Sequence, residues 1–294
     1  MPKPSIVFFG TGPVSYGTLL GISDAFAIEA VITKPIAISH GKPIDHPVHA
    51  WATENNVPVH TPANKRELTE LIEAQPFESQ VGLVVDYGII IAEAVIDSFP
   101  LGIVNSHFSV LPKYRGADPI TPIILEGRDV TGVTLMLIVP ELDAGPVLAI
   151  ETINVPGDIT ITGLTTKLIE LSNKVIQSKL PEYINGSIKP KEQEPTIEPT
   201  YTKKLQKADG IIDWSKSAVQ IEREIRGYLG WPGSRTTLHD RDVIITKAHV
   251  AMPEAGDLAH QCGDGAYLII DRLKPAGKNE MAAADFQRGL PKIS

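Results

Sequence analysis

Along its first hundred residues the chain alternates short β-prone apolar runs with stretches of helical period. Residues 5–9 (Ser-Ile-Val-Phe-Phe) predict a strand, stopped by Gly10-Thr11-Gly12-Pro13; Leu19, Leu20 and Ile22 then mark a helix. Residues 27–33 predict a second strand, 44–55 a helix, 57–59 a short strand and 66–74 a helix. The unbroken apolar run 81–85 predicts a strand buried on both faces, followed by a helix over 89–98 and a strand over 102–105. Such alternation predicts a doubly wound, mostly parallel α/β sheet. A polar, basic loop follows at 106–116, then a helix over 119–126. Strands at 133–138 and 147–153 flank a turn at Asp143-Ala144-Gly145-Pro146, and a long helix covers 161–180.

Residues 186–202 break the pattern. They are rich in Pro, Lys and Glu and poor in apolar side chains, which predicts a solvated connector. Beyond it, residues 217–227 carry a helical stripe of Val219, Ile221 and Ile225. Short strands are expected at 234–238, 243–250, 257–258, 266–270 and 272–274, the makings of a small β-barrel or open sheet. The domain division expected is therefore 1–189, a linker over 190–206, and a β-barrel domain over 207–294.

A length of 294 residues suits two domains, and 43% hydrophobic residues suffice for a core, which excludes dominant disorder. No apolar run approaches the roughly 20 residues of a bilayer span, and residues 6–9 are too short a stretch for a signal peptide. A single cysteine, Cys262, excludes an intramolecular disulfide and a multi-cysteine metal site. A cytoplasmic, monomeric protein is expected. The net charge of -8 is uneven: residues 1–202 hold 13 Lys/Arg against 23 Asp/Glu, while residues 203–294 hold 14 against 12. The chain is thus a poor non-specific nucleic-acid binder, and its more basic C-terminal third remains a contact surface for a polyanion. An ordinary solvated surface would carry the same charges.

Two tempting motifs lead nowhere. Gly10-x-Gly12 has Ser15 where a dinucleotide fingerprint needs its third glycine, and Pro13 removes a backbone N–H. His46 and His49 lack a third metal ligand at useful spacing, so no metal is expected. The informative stretch is 105–119. Asn105 and His107, two apart at the end of a strand, project on one face. They would lie at the carboxyl edge of a parallel sheet, where open α/β folds bind ligands. There an imidazole can accept a proton near neutral pH and a carboxamide can donate to an oxyanion. Asp143, in its Gly/Pro turn, could orient the imidazole or raise its pKa.

Together, Asn105-x-His107, Ser109-x-Leu111-Pro112-Lys113-Tyr114-Arg115-Gly116, Thr131-Gly132-Val133-Thr134 and Leu142-Asp143-Ala144-Gly145 resemble the signature of the 10-formyltetrahydrofolate-dependent formyltransferases. Phe9-Gly10-Thr11 and Tyr87-Gly88 match the same family. The C-terminal part resembles the methionyl-tRNA formyltransferase branch, through Ile212-Asp213-Trp214-Ser215, residues 221–226, Trp231-Pro232-Gly233, residues 262–265 and residues 273–278. The resemblance covers nearly the whole chain. It implies a Rossmann-like catalytic domain, an OB-like barrel, and formyl transfer from 10-formyltetrahydrofolate to the α-amino group of initiator methionyl-tRNA, without a metal. By resemblance, Asn105, His107 and Asp143 are catalytic. Val85, Asp86, Tyr87, Gly88 and Ile89, with Ser109, Val110, Leu111 and Pro112, line the folate site. Lys34, His40, Lys42, Lys113, Arg115, Lys203, Lys204 and Arg223 meet tRNA.

Three departures stand out. After Thr33-Lys34-Pro35 the loop reads Ile36-Ala37-Ile38-Ser39-His40-Gly41-Lys42, with His40 where the family has arginine. The chain is trimmed between Val250 and Gly263, and Asp118 replaces a small residue. The depleted loop leaves a second substrate in view, a nucleotide-linked amino sugar. A folate-binding module without catalysis would not need all of Asn105, His107 and Asp143. The enzyme that formylates glycinamide ribonucleotide usually lacks a C-terminal barrel.

Overall fold

The structure is a computed structural model that describes residues 3–39, 42–43 and 46–290. It divides into two compact units: Met1–Pro119, Val130–Ile153 and Thr165–Thr202 form the first, and Ile120–Asp129, Asn154–Leu164 and Lys203–Ser294 the second.

In chain order the first half runs β1 (Ser5–Gly10), α1 (Pro13–Ile22), β2 (Ala27–Ile32), β3 (Ile38–Ser39), β4 (Lys42–Pro43), α2 (Pro47–Glu54), β5 (Val59–His60), α3 (Lys65–Ala74), β6 (Gly82–Val85), α4 (Glu93–Asp97) and β7 (Ile103–His107). Then come β8 (Arg115–Gly116), α5 (Thr121–Leu125), β9 (Val130–Leu137), β10 (Val147–Asn154), α6 (Ile161–Ile184) and β11 (Tyr201–Thr202). Seven strands form one sheet in the order β10-β9-β7-β6-β1-β2-β5. Strands β5, β2, β1, β6 and β7 run parallel, and β9 is antiparallel to β7.

The central strands carry apolar residues on both sides because both faces are covered. On one face Val7, Phe9, Val84 and Ile103 pack with Leu68 and Ile72 of α3 and Val95 of α4. On the other, α1 meets α6: a Cβ on Gly17 would touch Ile169, and one on Gly21 would fall 2.0 Å from Asn173. Helix α3 starts where Asn64 accepts from the N–H groups of Arg66 and Glu67, while Glu67 reaches back to Ala63 and Asn64. His46 and His49 serve the start of α2, where the His46 ring accepts from the N–H of His49.

Two expectations change. Strand β7 continues through Ser106 and His107, so the polar loop begins later than the composition suggests. The segment 186–202 is also no free connector. Lys191 bridges Val147, β11 pairs with β8, the Lys113 ammonium donates to the Glu198 carbonyl, and the N–H of Arg115 donates to the Thr200 carbonyl. The side chains are as solvent-exposed as their composition suggests, but the backbone groups find partners on the sheet unit.

The second unit contains α5, α7 (Ala218–Gly227), β12 (Ser234–Leu238), β13 (Arg241–Val250), β14 (Ala259–Gln261), β15 (Tyr267–Pro275), β16 (Met281–Ala282) and α8 (Ala283–Arg288). The strands form an antiparallel half-barrel in the order β12-β13-β15-β14, with β16 on β15. Register shifts in β13 near Lys247 bend it. Ile221 and Ile225 of α7 pack into a core with Val243, Ile245, Leu268, Ile270, Leu273 and Phe286. The two strands expected at 266–270 and 272–274 are one, and α8, unpredicted, closes the core with Phe286. Cys262 is buried in that core, where desolvation raises its pKa and leaves it an unreactive thiol. Among the described residues no helix is long and apolar enough to cross a membrane.

Candidate active site

The carboxyl ends of β6 and β7 and the turn after β9 converge on one place. Period-2 geometry sends Asn105 and His107 to one face of β7, while Ser106, between them, bonds Ser172 of α6 on the other at 2.8 Å. Asn105 pairs with Met136 and His107 with Thr134 across β9. Asn105 is half-buried, and its carboxamide forms no hydrogen bond with a described residue, so its donors are available to a ligand.

His107 is 6% exposed. Its Nε2 lies 2.9 Å from the Tyr114 carbonyl oxygen, an acceptor, so Nε2 carries the proton. Its Nδ1 is then the basic nitrogen, 3.7 Å from Asp143 Oδ2. Burial lowers the pKa of His107, while the Asp143 charge and the Tyr114 carbonyl raise it in part; the net direction is down. The resting imidazole is neutral at neutral pH and ready to accept a proton. A distance of 3.7 Å is too long for a hydrogen bond but close enough for the carboxylate to stabilise an imidazolium.

Asp143 has φ 49°, a left-handed conformation that few residues adopt outside tight turns. Its Oδ2 accepts from the N–H of Gly116 at 2.7 Å. Gly116 has φ +113°, and a Cβ there would sit 2.5 Å from the Thr202 carbonyl. Gly145, in the same turn, would place a Cβ 1.8 Å from the Leu137 carbonyl. Both glycines are therefore required by close backbone approach.

The two segments named for folate lie beside these groups in sequence and in the sheet. Residues 85–89 leave the end of β6 with Asp86 at φ 48° and Gly88 at φ +70°. Ser15 donates to the Val85 carbonyl at 2.5 Å and the Asp86 carbonyl at 3.2 Å, and Thr11 donates to the Tyr87 carbonyl at 3.1 Å. Thus Ser15, the residue that breaks the dinucleotide fingerprint, ties the first loop to this one. The N–H groups of Tyr87, Gly88 and Ile89 donate to no described residue and suit the acceptor edge of a pterin. Lys34 covers Gly88, where a Cβ would meet its ammonium at 2.7 Å. The second segment is clamped by Thr134, whose hydroxyl donates to the Ser109 carbonyl (2.7 Å) and accepts from the Leu111 N–H (3.1 Å). Ser109 in turn donates to the Lys113 carbonyl. Leu111 and Pro112 are buried and Val110 half-buried.

Of the residues expected to meet tRNA, Arg115 is corrected. It is 6% exposed, with Nη2 on Gln193 at 2.8 Å and Nη1 on Glu141 at 3.3 Å, so it braces the chain and does not face a phosphate. Lys113 gives one donor to Glu198 and remains half-exposed. Lys203 and Lys204 are exposed; Arg223 is half-buried with its guanidinium over Gly127. His40 lies outside the described residues, and only the backbone of Lys42 is described, in β4.

Sequence reading missed Gln193, Thr134 and Lys274. The signal for Thr134 was present in Thr131-Gly132-Val133-Thr134. Lys274 lies in the 273–278 motif, but its place in line with Arg235 shows only in the register Arg235–Ile244–Lys274 across β12, β13 and β15. With Lys207, these cations line a groove of about 570 Å³ in the second unit.

A neutral imidazole, a free carboxamide and a fixed carboxylate at the edge of a doubly wound sheet make a site suited to acyl-group transfer, with proton transfer and oxyanion stabilisation but no covalent nucleophile. The chain belongs to the formyl transferase family: the pattern of the Formyl transferase domain matches residues 27–180 and that of the Formyl transferase C-terminal domain matches residues 204–291. A curated relative from Roseiflexus castenholzii, a methionyl-tRNA formyltransferase, is 36% identical over 301 residues, 97% of this chain and 96% of that one. The solved methionyl-tRNA formyltransferase from Clostridium thermocellum superposes with a TM-score of 0.58 at 16% identity, covering 94% of this chain and 100% of its own. An N-formyltransferase from Helicobacter canadensis, solved with folinic acid and dTDP-3-aminofucose, gives 0.67 at 19% identity, covering 92% and 99%. At these identities the two structures speak for the fold.

Proposed function

We propose that the protein transfers the formyl group of 10-formyltetrahydrofolate to the α-amino group of initiator methionyl-tRNA, as a cytoplasmic monomer. One observation carries the chemistry: a neutral His107 two residues from the free amide of Asn105, with the Asp143 carboxylate 3.7 Å from its basic nitrogen. The substrate follows from the relatives. Those at 34–36% identity over nearly the whole chain bear the name methionyl-tRNA formyltransferase.

In this reading the amine nitrogen attacks the formyl carbon and a tetrahedral oxyanion forms. Asn105 donates to that oxygen; losing one such donor typically costs about 3 kcal/mol in the barrier. His107 Nδ1 takes the proton released by the amine, and Asp143 stabilises the imidazolium. The new C–N bond stays, the bond to N10 of the folate breaks, and His107 returns the proton to N10. Residues 85–89 and 109–112 hold the folate. The first unit, which runs to Thr202, is the catalytic part; Lys34, Lys42, Lys113, Lys203, Lys204 and Arg223 meet tRNA, with residues 207–294 as its main platform. The deciding assay follows labelled formyl from 10-formyltetrahydrofolate to charged initiator tRNA and, in parallel, to a nucleotide-linked amino sugar. Transfer to tRNA alone is expected; transfer to the sugar alone would replace this reading with the second one.

A further inference from the structure

We infer that Gln193 is a positioning residue for formyl transfer: it fixes the turn that aims the Asp143 carboxylate at His107. The inference rests on the roles given above to His107 and Asp143. Asp143 and Gly145 present their carbonyl oxygens to the segment that follows α6. A single side-chain amide takes both, Gln193 Nε2 donating at 2.7 Å and 3.0 Å. The other end of that amide is set by Arg115, whose Nη2 donates to Gln193 Oε1 at 2.8 Å. The guanidinium can only donate, so it fixes which end of the amide faces the turn.

The arrangement closes on itself. Arg115 precedes Gly116, and the N–H of Gly116 holds Asp143 Oδ2. One dipeptide therefore grips Asp143 twice, directly at its carboxylate and through Gln193 at its backbone. The grip favours the left-handed φ of 49° at Asp143, a conformation that costs a residue with a side chain more than the ordinary right-handed one. Among its neighbours Lys191, Glu192 and Glu194 are exposed, and Gln193 alone is half-buried. Gln193 is not what docks the segment, since the Val147–Lys191 bridge, the Arg115–Thr200 backbone bond and the β8–β11 pair remain without it. Its distinct contribution is the orientation of the turn.

The test uses the full chain with Gln193→Leu, which keeps the volume and removes every hydrogen bond. Expected is a fall in kcat of about 10- to 100-fold, with KM for 10-formyltetrahydrofolate little changed. Because the Asp143 charge raises the pKa of His107, a loosened turn also moves the acid limb of the pH profile to lower pH. In an Asp143→Asn background, Gln193→Leu should add nothing further. Gln193→Glu, which keeps Arg115 paired but turns an oxygen toward the two carbonyls, should lose kcat as well, and it decides the matter if the leucine variant does not fold. Parent-like kcat and acid limb in a folded variant, or a loss that multiplies with that of Asp143→Asn, would overturn the inference. If Asp143→Asn alone left rate and acid limb unchanged, the failure would lie in the catalytic reading itself.

Discussion

A histidine walled into a strand end gives up its proton more readily than one in water, and in the proposed mechanism this keeps His107 ready to act as a base. With its pKa below the ordinary 6.5, the base is in its working form throughout the physiological range. The rate should therefore hold down to below pH 6.5 and fall only as the imidazole protonates. In Asp143→Asn the raising charge is gone, so the NMR titration of His107 should move to still lower pH. The linkage sign is fixed by the same shift. Because the folded pKa is depressed, the unfolded chain binds the proton first, and stability declines as pH falls from about 6.5 toward the lowered value. Denaturant titrations of His107→Ala should lack that part of the decline, while its rate should drop about 100-fold or more. Retained turnover in this variant would remove His107 from the mechanism.

The element that matters most is the turn between β9 and β10. Its close approach to β9 leaves no room at Gly145, where a Cβ would lie 1.8 Å from the Leu137 carbonyl. Gly145→Ala should cost about 1–3 kcal/mol of stability in denaturant melts and should lose activity beyond that, because the turn carries Asp143. An unchanged midpoint would mean that the turn yields freely. The docked segment after α6 makes a second prediction. Its backbone is tied to the sheet unit at Lys191, Glu198 and Thr200–Thr202, while Lys203 and Lys204 are exposed and follow the last of these ties. Limited trypsin digestion should cut first after Lys203 or Lys204 and spare Lys189 and Lys191. Early cleavage at Lys191 would show that the segment opens readily.

At the scale of the whole molecule, charge decides how a polyanion can be bound. The acidic first 202 residues repel tRNA, and Arg115 is committed internally. In the proposed function, binding therefore leans most on residues 203–294, Lys203 and Lys204 among them, where basic residues outnumber acidic ones. Lys203→Glu with Lys204→Glu should flatten the slope of log affinity against log salt for charged initiator tRNA by about 1–2, roughly one for each phosphate no longer neutralised. An unchanged slope would show that these lysines meet no phosphate.

What the sequence determined by itself is what depends on near neighbours. The alternation of strands and helices, the common face of Asn105 and His107, and the glycine-bearing turn at 143–146 all follow from local periodicity and turn chemistry. Tertiary structure decided what depends on pairs far apart in the chain. The 3.7 Å between Asp143 and His107, the burial of Arg115, the clamp of Thr134 on residues 109–111 and the reach of Gln193 to the turn have no trace in spacing. Composition correctly marked 186–202 as solvent-facing yet misread it as loose, because side-chain polarity does not tell where backbone N–H and C=O groups find partners. Arg115 is the same lesson at one residue: in sequence a guanidinium is a phosphate ligand in waiting, and only the fold shows that its two terminal nitrogens already hold Gln193 and Glu141.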